Sequence, residues 1–428
     1  MRIEDTDRAR FVEGSTERII ESLKWMNVIP QNLDDIMVQS KRKDIYLKHA
    51  LELVKNGKAY VCECSKERLE KLREEQEKKK LPPQYDRHCR EMKLEYKEGL
   101  VIRFKMPLHG EILFEDAVLG EIKFDPSLQD DPVIIKSDGF ATYHLAAIVD
   151  DHESKISHVI RGVEWLASTP KHIALYEAFG WEAPIFAHLP VILGPDHKHK
   201  LSKRDGDVSV IDFEKKGYLP EALINFVVLL GWNPKDEREF FSLEELSSEF
   251  KLENVNKSPA VFDINKLNSI NEHYIREELK GQESKIVSLM ENLGLKNASK
   301  GELDLLGRGG YATLVEAAEE ILSLRKTPEY EPALLVFKKS TKEKTLTGLG
   351  LTTDYLQLTT DENWNVQELQ MKLGLIVERN DLTNGDVFWP IRVALSGREK
   401  SPSPVELLMA LGKEESLKRI EKAISKLK

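Results

Sequence analysis

Asp196-His197-Lys198-His199-Lys200-Leu201-Ser202-Lys203-Arg204-Asp205-Gly206 decides how this chain is read. Lys198, Lys200, Lys203 and Arg204 place four permanent cations within seven residues. An apolar stretch, 189–193, reads as the strand leading into this loop. Before it, 170–179 reads as a helix with Thr169 as cap, Pro170 at its first position and Gly180 at its end. Val133-Ile134-Ile135 and 156–160 read as short buried strands. Strand and helix in alternation imply a parallel sheet with helices on both faces. Ligands of such sheets bind beyond the carboxyl ends of the strands. Lysines there suit an ATP whose α-phosphate is attacked in line by a carboxylate, because they stabilise the charge that builds on its oxygens. Ser202 is small enough to let the loop approach a nucleotide. Charge alone leaves a solvated basic loop as an equal alternative.

Outward from the loop, the texture changes several times. Residues 1–61 read as α/β, with helices over 15–26, capped by Ser15 or Thr16, and over 43–56, stopped by Gly57. Residues 62–130 read as a mixed insertion: a charged helix near 65–80, Pro82-Pro83, then short alternating segments such as Val101–Phe104. Residues 131–214 return to the α/β rhythm, and 215–279 and 280–428 are helical with almost no strand signal. The chain of 428 residues is 41% hydrophobic and 32% charged, the balance of a globular protein. No apolar run reaches the roughly 18 residues a membrane span needs. The acidic opening, Met1 to Asp7, is neither a signal nor a transit peptide, so a cytoplasmic location is expected. A net charge of −10 confines any nucleic-acid surface to a local basic face. Cys62, Cys64 and Cys89 are too few and too clustered for a disulfide framework, and raise either a metal site or three free thiols.

Lys200–Arg204 followed by Gly206 resembles the second signature loop of class I aminoacyl-tRNA synthetases, in the form used by glutamyl-tRNA synthetases. Further stretches resemble that family in the same order: Arg2-Ile3-Glu4-Asp5-Thr6-Asp7-Arg8, Lys136-Ser137-Asp138-Gly139, Thr142-Tyr143-His144-Leu145, Val149-Asp150-Asp151, His158–Trp165 and Ser168-Thr169-Pro170. Phe262-Asp263 to Tyr274-Ile275-Arg276 and Ile391–Gly397 resemble the anticodon half of the bacterial and mitochondrial type. The resemblance implies a Rossmann-like class I catalytic domain with a mixed α+β insertion, followed by an all-α anticodon-binding region. It implies a glutamate–tRNA ligase acting as a monomer on L-glutamate, ATP with Mg2+ and tRNA(Glu), with tRNA(Gln) an open further substrate.

Residue by residue, the resemblance implies that Arg161 reads the side-chain carboxylate of glutamate, with Tyr143 hydrogen-bonding the same substrate and Glu4 facing its α-ammonium. An Arg fork matches a carboxylate bidentately. Lys200 and Lys203 are the expected catalytic cations; Glu164, Trp165 and Ser202 join them at the adenylate, and Arg8 and Arg10 meet the tRNA. The cysteine spacing matches zinc-bearing members. Glu91 stands where some relatives carry a histidine ligand, with Tyr85 and His88 also near. Val163 replaces a frequent Glu and Ala147 a substrate-side Asn. The family's first signature, a His-x-Gly-His turn, belongs ahead of the position matched by Met1. A shortened amino terminus is therefore expected, with a catalytically impaired, tRNA-binding form as the alternative.

Overall fold

The computed structural model describes residues 1–7, 12–202, 209–281, 283–307 and 310–428. Residues 1–208 with 227–262 form one compact unit, and 209–226 with 263–428 a second. The chain begins with β1 (Arg2–Ile3), α1 (Ser15–Trp25), β2 (Met37–Val38), α2 (Lys43–Lys55), β3 (Ala59–Cys62) and α3 (Lys66–Lys78). It continues through β4 (Val101–Phe104), β5 (Ile112–Asp116), β6 (Gly120–Phe124), β7 (Val133–Ile135) and α4 (Tyr143–Glu153). Then come β8 (His158–Gly162), α5 (Thr169–Phe179), β9 (Ile185–Leu189) and β10 (Ile192–Leu193). After α6 (Val210–Lys215), α7 (Pro220–Gly231) and α8 (Leu243–Glu249) comes β11 (Ala260–Val261). The remaining helices are α9 (Ile264–Gly281), α10 (Glu283–Asn292), α11 (Lys300–Leu306), α12 (Leu314–Arg325), α13 (Lys342–Leu358), α14 (Val366–Arg379), α15 (Asn384–Ser396) and α16 (Pro404–Leu427).

The central sheet of the first unit has the order β6-β5-β9-β8. Its β8–β9 and β5–β9 pairs are parallel and its β5–β6 pair antiparallel. β5 alternates buried and exposed residues, as a period-2 strand with one covered face must. α2 buries Tyr46, Ala50 and Leu53, spaced along one helical face. α4 is covered from Leu145 to Asp151, and both helices join one core with Phe104, Ile135 and Phe186. In the second unit, Leu349, Leu369, Ile391, Leu408 and Ile420 of α13 to α16 form a separate core.

The α/β class with a helical remainder is what the sequence implies, but local readings change. β7 is antiparallel to β4, not part of a parallel sheet; with β3 it completes the order β3-β4-β7, drawing strands from both sides of the 62–130 segment. A short apolar run does not reveal which partner it takes. β8 starts two residues later than expected and is a sheet edge, with Ile160 half exposed, not a buried strand. The expected strand 189–193 divides into the end of β9 and β10, which pairs with β11. Gly14, in the left-handed region, caps α1 in place of Ser15 or Thr16. Ser168 precedes α5, and Thr169 is its first residue. No helix among the described residues is long and apolar enough to cross a membrane.

Candidate active site

Glu4, Tyr143 and Arg161 line one cavity of about 710 Å3, with Asp151, His172 and Phe186. Strand register builds its most ordered wall. Arg161 of β8 lies directly opposite His188 of β9, so both side chains share a face of the sheet. Arg161 Nε donates to His188 Nε2 at 3.1 Å. Its Nη1 donates to the Tyr143 hydroxyl at 2.9 Å and its Nη2 to Thr169 Oγ1 at 2.8 Å. Longer contacts reach His172 Nδ1 and the Trp165 carbonyl, both at 3.4 Å.

Behind His188 stands Asp116, on the neighbouring strand β5, its Oδ2 2.6 Å from His188 Nδ1. Burial alone would raise this carboxyl, but the His188 bond and backbone N–H bonds from Leu119, His188 and Val118 hold it below its usual value. The ionised carboxylate fixes the imidazole as Nδ1–H, leaving Nε2 to accept from Arg161. Burial lowers His188, and lowers fully buried His172 much further, reinforced by the His144 and Arg161 charges. His172 Nε2 is 3.1 Å from His144 Nδ1, and burial pushes His144 down to about 4. Burial also raises the Tyr143 phenol against the pull of Arg161.

At the other side of the cavity, Arg2 bridges two carboxylates, Glu4 Oε1 at 2.7 Å and Asp151 Oδ1 at 2.5 Å. Burial raises Asp151, and Arg2 partly opposes it. Asp150, by contrast, is fully buried and accepts from the Tyr46 hydroxyl, Gln39 Nε2 and Arg42 Nε. The adjacent carboxylates therefore serve different networks, and Asp150 fastens α2 and its approach to α4.

The loop of the opening motif leaves β10 and turns at once. Gly194 N donates to the His199 carbonyl and Leu201 N to that of Ile192, while Asp196 Oδ1 accepts from the backbone of Lys198 and His199. Those bonds and His199 hold the exposed Asp196 carboxylate at about 2. The hairpin returns at Lys200, whose ammonium pairs with Glu164. Glu164 is held below the usual carboxylate range by that contact. Trp165 is partly exposed, its ring 4.8 Å from that of Tyr143. Ser202 is half-buried at the end of the described loop. Lys203, Arg8 and Arg10 lie outside the described residues.

The sulfurs of Cys62, Cys64 and Cys89 lie within 4.8 Å of one another. A tetrahedral zinc thiolate site has sulfurs about 3.8 Å apart, so the cluster fits zinc. Glu91 does not join them: it is exposed and paired with Lys105 at 3.3 Å, because the turn after Cys89 carries it outward. Tyr85 stands beside the thiols instead, its hydroxyl 3.4 Å from Cys62 Sγ and from Cys64 Sγ. Burial, then the Tyr85 and Cys89 contacts, leave the Cys64 thiol at about 11. The sequence places Tyr85 only near the cluster, and gives no sign of His188, His172 or Asp116 beyond an Asp and a His at the inward phase of strands β5 and β9.

Comparison with known proteins identifies the family. Residues 1–269 match the family "tRNA synthetases class I (E and Q), catalytic domain", and 304–424 match an "Anticodon binding domain". A glutamate–tRNA ligase of Dehalococcoides mccartyi is 43% identical over 444 aligned residues, covering all of this chain and 90% of that protein. One from Clostridium botulinum is 42% identical, covering all of this chain and 92% of its own. The crystal structure of a glutamate tRNA ligase from Elizabethkingia meningosepticum, in complex with its amino acid, superposes with a TM-score of 0.86 at 32% identity, covering 100% of this chain and 92% of that one. On these grounds the chain belongs to the glutamate–tRNA ligases, class I aminoacyl-tRNA synthetases with a helical anticodon-binding region.

Proposed function

We propose that the cavity between Glu4 and Arg161 takes L-glutamate for activation by ATP and transfer to the 3′ end of tRNA(Glu). The observation that carries this reading is the placement of a guanidinium and a carboxylate on one cavity of about 710 Å3. Arg161 binds the side-chain carboxylate, Tyr143 hydrogen-bonds it, and Glu4 takes the α-ammonium. The α-carboxylate then attacks the ATP α-phosphate, forming glutamyl-adenylate and releasing pyrophosphate. ATP enters as its Mg2+ complex. Lys200 and Lys203 meet the charge developing on the phosphate oxygens, with Ser202, Glu164 and Trp165 beside the nucleotide. A terminal tRNA hydroxyl takes the acyl group and AMP leaves. Arg8 and Arg10 steer the acceptor end, 62–130 contacts it, 215–279 contacts the stem and 280–428 reads the anticodon.

Cys62, Cys64 and Cys89, with the Tyr85 oxygen as fourth donor, would hold a zinc ion, which would fasten β3 to the turn before Cys89 and take no part in the chemistry. Metal analysis should find one zinc per chain, lost in Cys89→Ser and retained in Glu91→Ala.

The activity test is charging of tRNA(Glu) with labelled glutamate, run beside glutamate-dependent ATP–pyrophosphate exchange in the presence of tRNA. Labelled glutamate on tRNA that depends on Arg161 is the expected result. Binding of tRNA with no charging and no exchange would replace this reading by that of a tRNA-binding member without catalysis. Charging tRNA(Gln) in parallel decides the range of acceptors.

A further inference from the structure

We infer that His172 and His188, the latter with Asp116 behind it, are positioning residues that keep the Arg161 charge without a carboxylate partner, so that the cavity selects an acid over its amide. The inference rests on Arg161 being the reader of the substrate side chain.

An arginine partly withdrawn from water ordinarily takes a carboxylate, because even partial desolvation of an unpaired charge is unfavourable. Arg161 does not. Its partners are two imidazole nitrogens, a phenol, a hydroxyl and a carbonyl. Among the described residues, no carboxylate lies within 4.0 Å of its guanidinium. The fork is thus gripped at Nε, Nη1 and Nη2 by neutral acceptors that fix its plane and leave its charge uncancelled.

Asp116 shows that this is an arrangement, not an absence of acid nearby. Its carboxylate is fully buried on the strand beside β9, yet it stops one imidazole short of Arg161. His188 accepts on Nε2 only because Asp116 holds the proton on Nδ1. The second acceptor is set the same way: His172 Nδ1 faces Arg161, which places its proton on Nε2, toward His144 Nδ1. Burial disfavours protonation of all three imidazoles and keeps the cradle neutral near pH 7. A glutamate carboxylate completes the missing ion pair. A glutamine amide leaves the guanidinium unneutralised in a partly buried wall, and is rejected on that account. A carboxylate placed directly against Arg161 would cancel the charge beforehand, and the two substrates would then be nearly equivalent.

The test is calorimetric titration of the full chain with L-glutamate and with L-glutamine, read as the ratio of the two dissociation constants. General damage weakens both ligands; loss of the charge arrangement changes the ratio. His188→Glu should lower the preference for glutamate at least tenfold. His188→Gln, whose side-chain oxygen can replace the Nε2 acceptor, should keep it within about threefold. If His188→Glu does not fold, Asp116→Asn serves. It turns the His188 N–H toward the Arg161 N–H, and the preference should fall at least fivefold. A ratio unchanged in the folded variant, when Arg161→Gln abolishes it, overturns the inference and leaves Arg161 as the reader. A ratio unchanged in Arg161→Gln itself overturns the reading beneath it.

Discussion

Arg161 and Lys200 are both cations assigned to substrate, and their surroundings are opposite. Arg161 sits on a strand in a register-fixed cradle of neutral acceptors. Lys200 sits at the return of a hairpin, 62% exposed, against an accessible carboxylate, Glu164. One charge has its geometry settled by the fold, and in the reading proposed above its neutralisation is left to the ligand. The other is already neutralised, by a partner in water that a polyphosphate can displace at little expense. A residue that must recognise a small carboxylate needs orientation before binding. A residue that must meet charge appearing on a phosphate needs only reach.

The widest separation between them should appear in Lys200→Ala. Removing one donor to a developing oxyanion lowers rate by roughly 10²–10³, or about 3–4 kcal/mol. The expected result is that loss in the kcat of pyrophosphate exchange with glutamate affinity unchanged. A rise in the dissociation constant for glutamate matching the loss in kcat would end the division of labour.

The buried side should answer to pH as the exposed side does not. His144 has its folded value near 4, below the ordinary 6.5 of the unfolded chain. Between those values the unfolded state binds the proton first, so stability is full above about 6.5 and declines as pH falls toward 4. The shift corresponds to a loss on the order of 3 kcal/mol. His172 and His188 act in the same direction. Urea unfolding from pH 7 to 4 should show the decline, and His144→Gln should flatten it. An equal slope in that variant would remove His144 from the account.

Arg161→Lys comes next. It keeps a positive charge but loses the fork, and should weaken glutamate about 30-fold, roughly 2 kcal/mol, with the KM for ATP unchanged. Full affinity with lysine would mean that charge alone, without orientation, reads the substrate.

How much of this contrast could be read from sequence follows from the same physics. Lys200, Glu164, Trp165, Tyr143, Arg161 and Glu4 could be named as candidates, because a motif keeps its residues in chain order whatever the fold does with them; the fold brings Glu4, Tyr143 and Arg161 onto one cavity. The cradle was not. Arg161 and His188 are 27 residues apart, and only the parallel register of β8 and β9 makes them opposite. Asp116 is 72 residues from His188, in a segment that reads as part of an insertion. Thr169 reads in the sequence as a helix cap, but it is the first residue of α5 and its hydroxyl serves Arg161. Tyr85 could be placed near the thiols but not among them, since the few residues of chain before Cys89 can turn either way. The sheet partner of β7 was hidden for the same reason: pairing across a long segment leaves no local pattern.

The finest test lies in Glu164. Its carboxylate covers Gly162, where a side chain would collide with Glu164 Oε2, and it pairs with Lys200. An ion pair this exposed contributes about 0–1 kcal/mol, so Glu164→Gln should shift the melting temperature very little. Lys200 would then meet the nucleotide without first leaving a carboxylate, and the KM for ATP should stay level or fall by about twofold, with kcat maintained. A tenfold loss of kcat would show instead that Glu164 acts on the adenylate itself. The exposed pair would then be bound to its substrate's chemistry no less firmly than Arg161 is, and the contrast between the two cations would reduce to a difference in burial.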